Sequence, residues 1–379
     1  MIPYKRDLFL MGQRNMMCIV RKHGKEFNTF LYSYIGINNV AVVKMLQLFF
    51  PLLFILNVIW AFLLTIAKFL ISLVKVFGKK PYVYRRFDEL YLNFTYMFME
   101  RTKAAGLYQN SKYWVIGPNI DKAFIPKDKE LIDYRQAISL IDNFNILSRS
   151  FNTIWNYMCH ERSLCLVHKV WQFYEVQIGL SKIASNSKIY FANQSDKYAS
   201  LFDSISTAPK VLLQHGIALN WDVLPCPLEH IDIFYAISSQ TWQDAYANIL
   251  VGQPELKFFN PTIQLIDYKN KRKSVLIVSE VTYFEQEVKI LKALRGQNVD
   301  VYLKRHPGFV QDECYRNLQQ EFDFTYITEK IFPKVDFVIS YFSTLAYEYM
   351  AYDIPVYIYN TAEDFNVEIM LSEMNKNIL

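Results

Sequence analysis

The hydrophobic pattern changes character along the chain. Residues 1–40 are weakly patterned, and only Met16 to Val20 stands out, a short apolar run that predicts a strand. From Met45 to Ala67 no charge interrupts, and Phe69 to Val74 continues the apolar character past Lys68. A run of that length can cross a bilayer. Arg85 to Lys103 carries Leu90, Phe94, Met97 and Phe98 at helical spacing and predicts a helix. Beyond it, short apolar runs alternate with longer amphipathic ones, the patterning of an α/β protein. Strands are expected at Tyr113–Gly117, Lys188–Ala192, Lys210–Gln214, Ile231–Ile237 and Lys257–Asn260, with residues 129–184 mostly helical.

Asp267 to Lys273 is charged, with Tyr268 its one apolar residue, and reads as a linker. The alternation then restarts. Strands are expected at Ser274–Ser279, Asp300–Leu303, Phe337–Ser340 and Pro355–Tyr359, and helices at Phe284–Leu294, Asp312–Phe322, Thr344–Ala351 and from Ala362 onward. The expected organisation has three parts. Region 1–80 contains the hydrophobic segment at about 45–74, and Rossmann-like domains follow over 81–268 and 269–379.

Composition narrows the class. The chain has 379 residues, 52% hydrophobic and 16% aromatic, enough for two sizeable cores and unlike a disordered protein. Its formal charge of +5 is too small to imply nucleic-acid binding, but it suits an anionic substrate or an anionic membrane surface. Arg14, Arg21, Lys22, Lys25 and Lys44 precede the apolar segment, and Lys68, Lys75, Lys79, Lys80, Arg85 and Arg86 lie within or after it. A single crossing would leave one basic cluster on the unfavoured side. A hairpin bent at Pro51 and Asn57, or a helix in the membrane plane, keeps both at the cytoplasmic face; a buried helix of a soluble domain is the third alternative. No signal peptide is recognisable. Five scattered cysteines without a Cys-x-x-Cys indicate neither a zinc site nor a disulfide framework, in keeping with a reducing cytoplasm.

Chemistry is expected where predicted strands end, because open α/β sheets bind ligands there. One strand delivers Lys304, Arg305, His306 and Pro307; the proline fixes the turn, and the cations and imidazole can hold a phosphate. Another delivers Ser340, Ser343 and Thr344 at a helix start, where hydroxyls and free N–H groups favour anions. Ser343 equally suits a helix N-cap. Glu348 follows Thr344 by one turn and either accepts hydrogen bonds from sugar hydroxyls or forms a surface salt bridge. His215, in Gln-His-Gly after Val211 to Leu213, is a general base or a structural histidine, with Asp222 the next candidate base. Tyr347, Tyr349 and Tyr352 read as packing. His160, His168 and His230 show no ligand spacing, and no Asp-x-Asp, P-loop, Gly-x-Gly-x-x-Gly or Gly-x-Ser-x-Gly occurs.

Lys-Arg-His-Pro-Gly, Ile-Ser-Tyr-Phe-Ser-Thr-Leu-Ala-Tyr-Glu and Ile-Pro-Val-Tyr together resemble bacterial GT-B glycosyltransferases of surface polysaccharides. That group includes capsule Kdo transferases, sialyl- and polysialyltransferases, and the related CDP-glycerol glycerophosphotransferases. The likeness spans about the second half of the chain. It implies two Rossmann-like domains facing a cleft, no bound metal and no cofactor. His306, Pro307, Ser343 and Thr344 would bind the phosphate of a CMP-, UDP- or CDP-linked donor. A lipid-linked capsule or lipopolysaccharide glycan would be the acceptor, at the inner face of the plasma membrane. The acidic Asp/Glu-Asp/Glu-Gly base motif of the sialyltransferases is missing. In the glycerophosphotransferases a His-Gly histidine is the proposed base, which His215 matches, although their Trp-His-Gly-Thr-Pro reads Gln-His-Gly-Ile-Ala here. A polyol-phosphate transferase and a non-catalytic polysaccharide-export partner are the alternatives.

Overall fold

The computed structural model describes residues 7–22, 50–77, 85–161, 167–194, 196–205, 209–215, 225–238, 242–243, 249–259, 263–268, 272–279, 284–304, 313–328, 331–341, 343–359 and 365–378. They form two compact units, one around a seven-stranded sheet and one around a five-stranded sheet.

Among the described residues two helices precede the first sheet. Helix α1, Leu8–Lys22, takes in the Met16–Val20 run for which the pattern predicts a strand. A five-residue apolar run does not distinguish helix from strand, and tertiary packing makes the choice. Here α1 lies on a later helix, α6 (Lys197–Ile205), and Gly12 permits the approach. A Cβ at Gly12 would sit 2.2 Å from the Lys197 Cα. Helix α2, Phe50–Phe77, is one continuous helix with Pro51 in its first turn, where a missing N–H breaks no intrahelical bond. The expected bend at Pro51 and Asn57 is therefore corrected, and with it the hairpin. Half of the described α2 side chains are exposed and only Val58, Ala61 and Thr65 are buried, unlike the buried helix of the third alternative. Residues 45–49 of the expected segment lie outside the described residues.

The predicted helix over Arg85–Lys103 is corrected too. Its middle is strand β1, Glu89–Asn93, and only its end is helical, α3, Phe98–Ala104. Leu90 to Asn93 are buried between β2 (Tyr113–Ile116) and β4 (Lys188–Phe191). A strand buried on both faces is uniformly apolar and loses its alternation. Strand β3 (Glu130–Ile132), helices α4 (Leu140–His160) and α5 (Val170–Ile183), and strands β5 (Lys210–Leu213), β6 (Ile233–Ala236) and β7 (Glu255–Phe258) complete the first unit. Helix α4 starts at a full capping box, with Ser139 and Asp142 each bonding the other's backbone N–H. The sheet order is β3-β2-β1-β4-β5-β6-β7, with parallel ladders from β3 through β6.

The second sheet has the order β11-β10-β9-β13-β14, all parallel. Its strands are β9 (Lys273–Val278), β10 (Val299–Lys304), β11 (Thr325–Ile327), β13 (Phe337–Tyr341) and β14 (Val356–Tyr359). A short pair, β8 (Leu265–Ile266) and β12 (Phe332–Pro333), stands apart from it. Alternate residues of β9 serve opposite faces, as the two-residue period of a strand requires. Val275 and Ile277 pack under α7 (Phe284–Leu294), α8 (Glu313–Glu321) and α10 (Val367–Ile378). Leu276 and Val278 pack with Tyr349 of α9, Thr344–Met350. In each sheet the first strand is central, and successive strands build outward on one side before crossing to the other. This is the Rossmann-type order, with its switch point between β1 and β4 in one unit and between β9 and β13 in the other.

Candidate active site

Polar side chains collect at the carboxyl ends of the strands flanking both switch points. In the second unit, Lys304 ends β10, opposite Val278 of β9, and Val278 is opposite Ser340 of β13. In-register residues of parallel strands point to one face, so Lys304 and Ser340 share the side that α9 covers, roughly 10 Å apart across β9. Lys304 is buried with its ammonium 5.4 Å from the Phe332 ring centre.

Ser343 caps α9. Its backbone is extended and its Oγ accepts from the Ala346 N–H at 3.3 Å. The Ser340 and Ser343 hydroxyls lie 2.9 Å apart, and the Ser340 hydroxyl donates to the Tyr341 carbonyl. Ser343 then donates to Ser340, and the pair is satisfied within the chain. An anionic oxygen forms a stronger, charge-assisted bond than a neighbouring hydroxyl, so a phosphate can compete for either proton. Thr344 is the first residue of the helix. Glu348, one turn on, is only 7% exposed, so the surface salt bridge considered for it is corrected to a buried carboxylate. Tyr347 and Tyr349 are core residues, and Tyr349 donates to the Pro333 carbonyl at 2.9 Å. Beside the same switch point, Ser279 donates to the Tyr315 hydroxyl at 2.7 Å and lies 3.4 Å from Glu287, which is fully buried.

In the first unit, Asn93 ends β1, and Asn193, Gln194, Gln214 and His215 continue β4 and β5. The β1–β4 and β4–β5 ladders end at Tyr91 opposite Tyr190 and at Phe191 opposite Leu212, so Asn93, Asn193 and Gln214 each lie two residues beyond a paired position. The His215 N–H donates to Gln194 Oε1 at 3.3 Å, and Tyr96 meets the imidazole edge-on at 5.5 Å. Burial pushes the His215 pKa down to about 4, and the nearby Arg101 guanidinium adds to the shift. The ring is therefore neutral at pH 7, with Nδ1 making no hydrogen bond among the described residues. The side-chain carbonyls of Asn93 and Asn193 and the Thr95 hydroxyl are likewise without hydrogen-bond partners there. Arg101, a cation only 3% exposed, belongs to the same neighbourhood. The unpartnered acceptors and hydroxyl suit a ligand rich in hydroxyls.

The structure thus groups Lys304, Ser340, Ser343, Thr344 and Glu348 around one switch point and sets His215 by the other. Asp222, Arg305, His306 and Pro307 lie outside the described residues. Asn93, Tyr96 and Arg101 escaped sequence reasoning because β1 reads as a helix, and Asn193 was passed over although it directly follows the expected strand Lys188–Ala192. Asparagines directly after the apolar runs ending at Leu92 and Ala192 were the available signal. Among the described residues no cluster of His, Cys, Asp or Glu is arranged to hold a metal, and Cys159, Cys226 and Cys314 are free thiols.

No protein family and no curated protein matches this chain. Among solved structures it is similar to the wall teichoic acid polymerase TagF, at 11% identity and a TM-score of 0.31, over 72% of this chain and 69% of that one.

Proposed function

We propose that the chain is a metal-independent GT-B glycosyltransferase. It would move a sugar from a CMP-, UDP- or CDP-linked donor to a growing, lipid-linked surface glycan of the capsule or lipopolysaccharide kind. The reaction would take place at the inner face of the plasma membrane. The observation that carries the reading is the row Lys304–Val278–Ser340 at the second switch point, with Ser343 and Thr344 at the helix start beside it. A cation and three hydroxyls at that edge suit the phosphates of a nucleotide. Arg305, His306 and Pro307 follow Lys304 directly and are assigned to the same phosphates. Glu348 is assigned to hydroxyls of the donor. Without a metal, charge developing on the leaving phosphate must be stabilised by these donors.

His215 is assigned the general base. Its neutral imidazole can take a proton from an acceptor hydroxyl at pH 7, and Nδ1 has no competing hydrogen bond among the described residues. Asp222 is the second choice. The 81–268 segment is assigned to the acceptor and 269–379 to the donor. One observation favours a second reading, polyol-phosphate transfer: the chain has a His-Gly histidine after a buried strand and lacks the acidic triplet.

The test offers the full-length protein labelled CMP-, UDP- and CDP-linked donors together with membranes as the acceptor source. Label in an acceptor product that survives phosphodiesterase but not glycosidase supports the first reading, and the reverse supports the second. His215→Ala should lower kcat by about 10²–10⁴ with donor affinity nearly intact. Nucleotide binding without turnover on any acceptor would contradict both readings and leave the export partner.

A further inference from the structure

Helix α2 has its polarity inverted for a protein surrounded by water. Three of its polar residues, Asn57, Thr65 and Lys68, turn toward the first unit. Thr65 is buried, Asn57 donates from Nδ2 to the Tyr157 hydroxyl at 3.3 Å, and Lys68 is drawn in beside Glu175. The outward stripe is apolar throughout, from Leu52 and Ile55 through Ile59, Trp60 and Leu63 to Leu70 and Val74, and all of these are exposed. At 1.5 Å per residue that stripe is roughly 33 Å long. A surface helix in water shows the opposite arrangement.

The packing of α2 fixes how such a face can be used. Phe54 stacks on Tyr157, Phe62 meets Phe151 and Phe69 meets Phe144, with ring centres 5.0–5.3 Å apart. These pairs run in opposite directions along the two helices, so α2 lies antiparallel on α4 over some four turns. Helix α4 carries Asp142, paired to Lys182, and Arg149, bonded to Asn145 and Gln177. Pushing α2 through a bilayer would take those charged groups into hydrocarbon or strip α2 from its partner. The apolar surface also continues onto α4, where Phe144, which touches Phe69, is exposed together with Ile141 and Trp155.

We propose that the outward stripe of α2 is sunk into one leaflet of an anionic membrane, with the helix parallel to the surface and not crossing it. Charge selects lipid over a second copy of the chain. Between Glu26 and Asp88 the sequence has no acidic residue, while Lys44, Lys68, Lys75, Lys79, Lys80, Arg85 and Arg86 all fall there. Of these, Arg85 is paired with Glu130, and Lys75 is exposed on the last turn of α2. A second copy would add the same cations and, over this stretch of sequence, no carboxylate to pair with them. Anionic headgroups complement them, at about 1 kcal/mol for each cation close to the surface. The inference rests on the geometry of α2 and not on the reaction, so vesicle binding and turnover can fail separately.

The experiment sediments the full-length protein with vesicles of phosphatidylcholine alone and with 30 mol% phosphatidylglycerol, each also made with brominated acyl chains. Binding should require phosphatidylglycerol and weaken about tenfold or more in Leu63→Glu. That residue faces solvent, so the variant should fold, which circular dichroism checks. Trp60 emission, taken as the difference from Trp60→Phe, should be quenched most by bromines near the headgroups. Strongest quenching by bromines near the chain ends would mean a crossing and would overturn the proposal. Equal binding to neutral vesicles, or no binding with a dimer that Leu63→Glu dissolves, would overturn it too.

Discussion

Withdrawal of His215 from water should leave a measurable mark on the pH dependence of stability. In the folded chain its pKa is down from 6.5 to about 4, by burial first and the Arg101 charge second. A histidine in the unfolded chain keeps the ordinary value, so between those pH values the unfolded state binds the extra proton. The sign follows: stability is complete above pH 6.5 and falls as pH drops toward 4. At pH 5 the loss from this group is about 2 kcal/mol, approaching about 3 kcal/mol at pH 4. His168 is shifted the same way, also to about 4, by burial and by Lys169, Lys197 and Lys68. The parent protein therefore cannot isolate His215, but His215→Gln can, with His168→Gln as the matched control. Urea unfolding in mild detergent, followed by circular dichroism at pH 5 and pH 7.5, measures the difference. His215→Gln should lose about 2 kcal/mol less than the parent between the two conditions. Equal losses would mean that the imidazole is hydrated and titrates normally, and the neutral-base assignment would lose its physical ground. The kinetic counterpart is an acid limb of kcat/KM that falls near pH 4–5 rather than near 6.5.

Other perturbations test how the elements are held. Gly12→Ala places a Cβ 2.2 Å from the Lys197 Cα and 2.6 Å from its N, against backbone that cannot yield locally. It should cost about 2 kcal/mol or more, and an unchanged melting temperature would contradict the α1–α6 crossing. Ser139→Ala removes one half of the capping box of α4 and should cost about 1 kcal/mol by urea unfolding. Ser343→Ala removes the N-cap of α9 and should cost a similar amount without ligand, so its effect on nucleotide affinity must be measured under conditions where the variant is folded.

The second unit was more legible in the sequence than the first, for a physical reason. Its central strands β9 and β13 are buried on both faces as β1 is, but each is a short apolar run with charged residues just before it, and the amphipathic period between them is helical, so the predicted helix Phe284–Leu294 is matched residue for residue by α7. The predicted strand Ser274–Ser279 is displaced by one residue from β9. In the first unit, β1 is buried on both faces and has no alternation to read, while Leu90, Phe94 and Phe98 happen to fit a helical period. Losing β1 also hid Asn93 and Arg101, whose importance comes from lying beside β4 and β5. Helix α1 was missed because its stability comes from α6, far along the chain. The serines at the end of β13 were legible because hydroxyls at a strand-to-helix turn form a local pattern. The depressed histidine was not, since burial and the Arg101 charge are products of the fold.

The central claim is that the second unit holds a nucleotide through Lys304, Ser340, Ser343 and the residues that follow Lys304. Thermal unfolding of the full-length protein with CMP, CDP, UDP and GDP tests it most directly. At a hundredfold excess over the dissociation constant a bound nucleotide adds about 2.7 kcal/mol. The account predicts that a cytidine or uridine nucleotide raises the melting temperature, and that the rise shrinks in Ser343→Ala and in Lys304→Ala. No rise with any of the four, or a rise that both variants keep in full, would contradict it.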